Sequence, residues 1–200
     1  MGRWLVPTLL LGAALLLGSL VQGPALTAAD VALATPLLLR ADAAPPVLIA
    51  FTQGISWLGG GIPRWTLALL LVAFLWRKAG RGPALLLAAT AVAANLASSL
   101  LKIIFDRPRP NLVPHLDHVA SWSYPSGHAT SVTAIALLLA LLAPRPWRRV
   151  AAWCAAAAIS STALSRVMLG VHWPSDVLGG TMLGAAFAFA AAGIDRRVRR

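Results

Sequence analysis

Long apolar runs, separated by short breaks that contain polar residues, glycine or proline, set the pattern of this 200-residue chain. A helix needs about 20 predominantly apolar residues to cross a bilayer, and six segments approach that length. We predict an all-α polytopic membrane protein, a bundle of six transmembrane helices. The predicted spans cover residues 4–21, 58–76, 83–101, 127–143, 150–165 and 177–194 of a single domain, 1–200.

Two of these spans have a second interpretation. Residues 47–58 and 65–76 are both apolar, but the break Gly59-Gly60-Gly61-Ile62-Pro63-Arg64 divides them. We expect one crossing that ends at Trp76, with the first half near the interface, and the sequence leaves open whether the helix continues through 59–64. The first run follows Arg3 as in a signal peptide, but it is long for one and no A-x-A site follows, so we expect a retained span.

Composition supports a membrane protein, since 12% of the residues are charged against about 25% in soluble domains. The net charge of +11 is also typical of nucleic-acid-binding proteins. However, basic residues are enriched in cytoplasmic loops of membrane proteins. Eleven of the 17 basic residues fall on one predicted side, at Arg3, in the turns 77–81 and 145–149, and in the tail 196–200. The charge therefore indicates topology, with no nucleic-acid partner.

This distribution places both termini in the cytoplasm and the chain in the inner (cytoplasmic) membrane. The loops at about 23–62, 102–128 and 165–176 then face the periplasm or the cell exterior. Within the first of them, the segment around Asp30 is expected to serve packing rather than catalysis.

The first polar cluster of these outer loops joins Lys102 to Arg109 and Pro110. Cations stiffened by prolines at a membrane surface suit an anionic group, although snorkelling or contact with lipid headgroups explains such residues equally well. Asn95, Ser98 and Lys102 recur at helical spacing, which predicts a polar stripe that faces the bundle interior.

The second cluster, Pro125-Ser126-Gly127-His128, directly precedes an apolar run. Free backbone N–H groups and the dipole at a helix start favour an anion, which His128 would also reach. An ordinary helix cap with an interfacial histidine explains this segment as well.

The third cluster runs from Ser165-Arg166 to His172 and Asp176. If the turn at Pro174 brings His172 and Asp176 together, the carboxylate can accept a hydrogen bond from one ring nitrogen. The other nitrogen is then free to act as nucleophile or base. A purely structural contact between the two side chains is the alternative.

In order, these three segments resemble the three-part signature of the type 2 phosphatidic acid phosphatase (PAP2) superfamily. They read Lys102-x6-Arg109-Pro110, Pro125-Ser126-Gly127-His128 and Ser165-Arg166-x5-His172-x3-Asp176. The resemblance covers residues 102–176, and no signature position is missing. It implies a compact bacterial membrane lipid phosphatase whose active site lies at the outer membrane face.

The resemblance also implies a role for each signature residue. It assigns Lys102, Arg109 and Arg166 to the phosphate oxygens, with further hydrogen bonds from Ser126 and from the backbone N–H of Gly127. Positive charge at these positions would neutralise the charge that builds on a transferring phosphoryl group.

For catalysis, the resemblance implies that His172 attacks phosphorus to give a phosphohistidine and that Asp176 orients it. His128 would protonate the leaving oxygen and then activate water. No metal and no cofactor are implied, which suits a chain without Glu, since carboxylates are the usual ligands of Mg²⁺.

The implied substrate is a membrane lipid phosphate: undecaprenyl pyrophosphate, phosphatidic acid or phosphatidylglycerophosphate. The signature recognises the phosphate, so the preference between monoester and pyrophosphate stays open, as does the oligomeric state. A phosphotransferase with an acceptor other than water and a non-enzymatic transporter of anionic lipids are the alternatives. Arg107, His115, Asp117 and His118 fall outside the signature and are expected to be loop or headgroup-specificity residues.

Overall fold

Eight α-helices follow the apolar runs in the computed structural model, which describes residues 2–198, and no strand occurs within that range. The all-α prediction is confirmed. The helices are α1 (Leu5–Leu20), α2 (Pro24–Ala34), α3 (Pro46–Gly59), α4 (Gly61–Ala79), α5 (Arg81–Phe105), α6 (Gly127–Leu142), α7 (Arg148–Met168) and α8 (Pro174–Val198).

Proline and glycine set several of the helix boundaries. Helices α2, α3 and α8 each begin with proline, whose missing N–H would have no intrahelical partner at that position. Gly80 separates α4 from α5 with φ of +90°, a conformation that glycine adopts without steric cost.

Three helical segments are long and apolar enough to cross a membrane: Arg81–Phe105, Arg145–Met168 and Pro174–Asp195. Two bent pairs reach that length only together, α1 with Pro24–Leu37 at 100° and α3 with α4 at 54°. Helix α6 is apolar but has 16 residues. Residues 2–198 thus hold three to five candidate spans of a membrane protein, and the count of six stays a prediction.

The expected outer loop 23–62 is mostly helical, because it contains α2 and α3. The predicted second span, 58–76, corresponds to α4, which begins at Gly61 rather than at residue 58. The backbone of Gly60 is extended, with φ of −115° and ψ of 165°, and accounts for the bend between α3 and α4. Of the basic tail 196–200, residues 199 and 200 lie outside the described residues, and the side on which each terminus lies stays a prediction.

Small residues bring α6 and α8 into close contact, as the spacing Gly180-x3-Gly184 leads us to expect. A Cβ atom on Gly184 would lie 2.3 Å from the carbonyl oxygen of Thr130, and one on Gly180 would lie 2.5 Å from that of Ser126. Any larger residue would separate the helices. The contact places the start of α6 beside the start of α8, where the N–H of Ser126 donates to the carbonyl oxygen of Asp176 at 3.0 Å.

Candidate active site

The three polar clusters of the sequence converge at one end of the bundle. Lys102 lies in the last turn of α5 and Arg166 in the last turn of α7. Arg109, in the loop between α5 and α6, donates from Nη1 to the carbonyl oxygen of Val171 at 2.5 Å. This bond joins the first cluster to the third, and the contact between Ser126 and Asp176 joins the second to the third.

His172 and Asp176 lie together, as expected if the turn at Pro174 joins them. Asp176 Oδ2 lies 3.4 Å from His172 Nδ1, and Ser123 Oγ lies 3.3 Å from the same nitrogen. Ser123 Oγ donates to Asp176 Oδ2 at 2.5 Å, so its lone pair faces the imidazole. His172 is 2% exposed and Asp176 is fully buried. The acceptors around Nδ1 place the ring proton on that nitrogen.

The other ring nitrogen of His172 faces a cation. Arg109 Nη1 lies 3.2 Å from His172 Nε2, and because a guanidinium only donates hydrogen bonds, Nε2 carries the lone pair. Burial, together with the neighbouring charge of Arg166, lowers the pKa of Arg109 to about 10. Arg109 therefore stays charged at neutral pH beside the lone pair of His172 Nε2.

Burial lowers the pKa of His172 well below its ordinary value. The cations Arg109, Arg166 and Lys102 act in the same direction, because each disfavours a second positive charge nearby. The imidazole is therefore neutral at neutral pH. This is the protonation state in which Nε2 can attack an electrophile.

The other two cations have hydrogen-bond and ion-pair partners within the protein. Lys102 Nζ donates to the carbonyl oxygens of Trp122 and Ser123. Arg166 Nη1 lies 2.5 Å from Asp117 Oδ2 and also donates to the hydroxyl of Ser56.

Burial raises the pKa of Asp117, but the hydrogen bond from Ser56 and the charge of Arg166 outweigh it and hold that pKa below its usual value. The carboxylate of Asp117 is thus ionised and forms an ion pair with Arg166.

Two buried polar atoms of the site make no hydrogen bond within the described part of the chain, Ser126 Oγ and Arg166 Nε. A buried polar atom without a partner is costly and rare in native structures. Both belong to the residues expected to bind phosphate, and both are available as donors to a ligand.

His128, in the first turn of α6, lies at the wall of a cleft of about 850 Å³. The break between α3 and α4 also lines the cleft, and a Cβ atom on Gly60 would lie 2.4 Å from His128 Nε2. The polar residues that line the cleft include Ser56, Asp117 and His118, and the apolar ones include Trp57, Leu67 and Leu70. The cleft thus offers both polar groups and an apolar surface to a ligand.

Sequence reasoning missed several of these residues. It assigned Arg107 to loop or headgroup specificity, whereas the structure buries it, with Nη1 2.6 Å from Asp176 Oδ1. It assigned Asp30 to packing, yet Asp30 Oδ2 lies 2.7 Å from Arg107 Nη2. A lone carboxylate in an apolar helix is itself a signal of function.

The remaining loop histidines differ in placement: His118 lines the cleft, and His115 Nε2 bonds the carbonyl oxygen of Pro110 at 2.7 Å.

One end of the helical bundle thus holds the charged and histidine residues of the three-part signature together: Lys102, Arg109, His128, Arg166, His172 and Asp176. Residues 83–200 match the family model of the PAP2 superfamily. The chain therefore belongs to the PAP2 superfamily, as its three-part signature indicates.

Curated relatives of the chain are lipid and polyisoprenyl phosphatases. The chain is 33% identical over 168 residues to the decaprenylphosphoryl-5-phosphoribose phosphatase of Mycobacterium tuberculosis, with 78% of this chain and 86% of that protein covered. It is 30% identical over 194 residues to phosphatidylglycerophosphatase B of Bacillus subtilis, with 93% of each covered.

The crystal structure of a transmembrane PAP2-type phosphatidylglycerolphosphate phosphatase from Bacillus subtilis superposes on this fold with a TM-score of 0.86. The two sequences are 28% identical, and the superposition covers 97% of this chain and 98% of the Bacillus subtilis chain. These relatives support a membrane-bound phosphatase of the PAP2 family.

Proposed function

We propose that this protein hydrolyses the phosphomonoester or pyrophosphate of a membrane lipid through a phosphohistidine, without a metal ion. The observation that carries the proposal is the orientation of His172. Its Nδ1 faces Asp176 and Ser123, and its lone pair on Nε2 faces Arg109. A buried neutral imidazole aimed at a cation is suited to attack a phosphoryl group that the cation binds.

In the first step, Lys102, Arg109 and Arg166 bind the phosphate oxygens in place of their present partners. His172 Nε2 attacks phosphorus, the bond from phosphorus to the leaving oxygen breaks, and that oxygen takes a proton from His128. Asp176 accepts the hydrogen bond from Nδ1 and stabilises the positive charge that forms on the ring. The cations neutralise the charge on the phosphoryl oxygens.

In the second step, water attacks the phosphohistidine. His128, now neutral, accepts a proton from that water. The bond between phosphorus and Nε2 breaks, inorganic phosphate leaves, and both histidines return to their starting states. The three side-chain cations supply the charge stabilisation that a metal ion gives in other phosphoryl-transfer sites, which is why the proposed reaction is metal-independent.

The cleft beside His128 supports a lipid substrate. Its lining includes Ser56, Asp117 and His128 and is otherwise largely apolar, so a phosphate beside His128 leaves room for an acyl or polyprenyl chain. Undecaprenyl pyrophosphate, phosphatidic acid and phosphatidylglycerophosphate are the proposed substrates. From the distribution of basic loops we infer that the site lies at the outer leaflet of the inner membrane and faces the periplasm or the cell exterior, within one domain of six spans.

A phosphate-release assay tests the proposal. Detergent-solubilised protein is given each of the three lipid phosphates, with and without EDTA, and inorganic phosphate is measured. We expect phosphate release that EDTA does not reduce and that the His172→Ala variant lacks. Binding of the lipid without phosphate release would instead favour a transporter, and transfer to an added alcohol without release would favour a phosphotransferase.

The close contact between Gly60 and His128 gives a prediction for Gly60→Ala. The new methyl group would overlap the imidazole, so His128 must shift, and a displacement of about 1 Å at a catalytic group costs up to about 100-fold in rate. We expect kcat to fall about 10- to 100-fold. Gly54→Ala in α3 is the matched control, because a Cβ atom there meets nothing within 4 Å, and steady-state kinetics of both variants make the comparison. Equal activity of the two variants would contradict the proposed role of His128.

A further inference from the structure

A second carboxylate lies behind Asp176, on a helix that contains none of the signature residues. Asp30 is the only charged residue of α2 and is 1% exposed. Its Oδ2 accepts hydrogen bonds from Arg107 Nη2 at 2.7 Å and from Ser175 Oγ at 2.5 Å. Its Oδ1 accepts the backbone N–H of Ser175 at 2.9 Å. Asp30 therefore makes three hydrogen bonds to groups directly adjacent to the proposed catalytic carboxylate.

Arg107 connects the two carboxylates. It is 2% exposed, and its Nη1 donates to Asp176 Oδ1 at 2.6 Å and to Ser175 Oγ at 2.7 Å. Its guanidinium also lies over the ring of Trp173 at 5.5 Å. A buried charge is stable only when it is paired and hydrogen-bonded, and Arg107 meets this condition through both Asp30 and Asp176.

The two oxygens of Asp176 have separate partners. Oδ1 faces Arg107, whereas Oδ2 accepts from Ser123 Oγ and from the N–H of Trp173 and lies toward His172 Nδ1. A bond that fixes Oδ1 also fixes the plane of the carboxylate. The direction of Oδ2 toward the imidazole therefore depends on where Arg107 is held.

We propose that Asp30 is a positioning residue for the reaction: it holds Arg107 so that Asp176 keeps His172 in the tautomer and orientation needed for attack. Without the charge of Asp30, Arg107 Nη2 loses its ionic partner and the guanidinium interacts with Asp176 alone. Asp176 is then both less firmly oriented and a weaker acceptor for the imidazole. The inference rests on the proposed function, because its readout is the rate of phosphate release.

The test is Asp30→Asn in the full-length protein, which keeps the size of the side chain and removes its charge. We expect kcat for the lipid phosphate to fall about tenfold, since the nucleophile is less well aligned. KM should change less than about twofold, because Lys102, Arg109 and Arg166 are untouched. Asp42→Asn is the matched control: it removes a negative charge from an exposed carboxylate that pairs only with the exposed Arg40 in the described structure, and we expect it to leave kcat unchanged.

A double-mutant cycle separates positioning from general destabilisation. Because Asp30 acts through Arg107, Asp30→Asn should have little further effect on kcat in an Arg107→Gln background. Equal factors in both backgrounds, an unchanged kcat for Asp30→Asn, or an effect confined to KM would overturn the proposal.

If Asp30→Asn does not fold, as a thermal-unfolding scan would show, Ser175→Ala gives a second measurement. It removes one hydroxyl between Asp30 and Arg107 without changing the charge, and we expect a severalfold fall in kcat at constant KM. An unchanged kcat for Ser175→Ala would then overturn the proposal. A wild-type protein that releases no phosphate would instead reject the proposed function, so the two failures are distinguishable.

Discussion

His172→Ala is expected to abolish phosphate release, with a loss in kcat of about 10⁵-fold or more. Removal of a nucleophile leaves only the binding and electrostatic contributions of the site, and such losses reach about 10⁶-fold in enzymes with covalent intermediates. The loss should be in kcat rather than in KM, because the cations that bind the phosphate remain. Phosphate release from a lipid phosphate in detergent micelles measures it.

Trapping of the intermediate makes the prediction specific. Wild-type protein quenched during turnover of a ³²P-labelled lipid phosphate should carry acid-labile, base-stable label, as expected of phosphate bound to nitrogen. His172→Ala should carry none. His115→Gln is the matched control, since His115 Nε2 bonds only the carbonyl oxygen of Pro110 among the described contacts and glutamine can still donate there; it should keep both label and turnover. Label on the His172→Ala variant would assign the nucleophile elsewhere.

The second large effect is expected for His128→Ala, and its size should depend on the leaving group. A lipid alkoxide leaves poorly without a proton, so the loss of a general acid should lower kcat about 10²- to 10⁴-fold. An aryl phosphate has a leaving group that needs little protonation. With that substrate, the first step should stay fast in the variant while hydrolysis of the phosphohistidine, which needs His128 as a base, becomes slow.

The expected signature of His128→Ala is a burst of phenol close to one equivalent per active site, followed by slow turnover. Wild-type protein and His115→Gln should show no such burst if their two steps have similar rates. Two results would contradict the assigned role: equal losses with lipid and aryl phosphates, or slow turnover without accumulation of phosphoenzyme. Because His172→Ala should give neither burst nor turnover, the two variants separate the roles of the two histidines.

The location of the candidate site could be predicted from the sequence, but the hydrogen-bond and ion-pair partners of its residues could not. The sequence predicted the contact between His172 and Asp176 on the condition that the turn at Pro174 brings them together, and the structure shows that contact. The clusters at Lys102 and Arg109 converge as expected. That Arg166 is paired with Asp117, however, depends on a contact between residues 49 positions apart, which no local pattern specifies.

The helical framework also has a part that the sequence predicted well and a part that it did not. Apolar runs predicted α1 and α5 to α8 within a few residues, since the length of an apolar run reflects the thickness of the membrane. The loop 23–62 was predicted poorly because α2 and α3 are too short to resemble spans. The bend at Gly60 is a tertiary feature, and it places that glycine against His128.

The sequence by itself determined the membrane character of the protein, its all-α class, its superfamily and the residues that carry its signature. These properties follow from local composition and short spacings. Only the tertiary structure decided which nitrogen of His172 carries the lone pair, which groups pair with the proposed phosphate-binding cations, and that Asp30 is joined to Asp176 through Arg107. The bonds from Asp30 to Arg107 and to Ser175 join residues 77 and 145 positions apart, so they exist only because the fold brings α2, the start of α8 and the loop after α5 together. Once buried there, charged groups are stable only when they are paired.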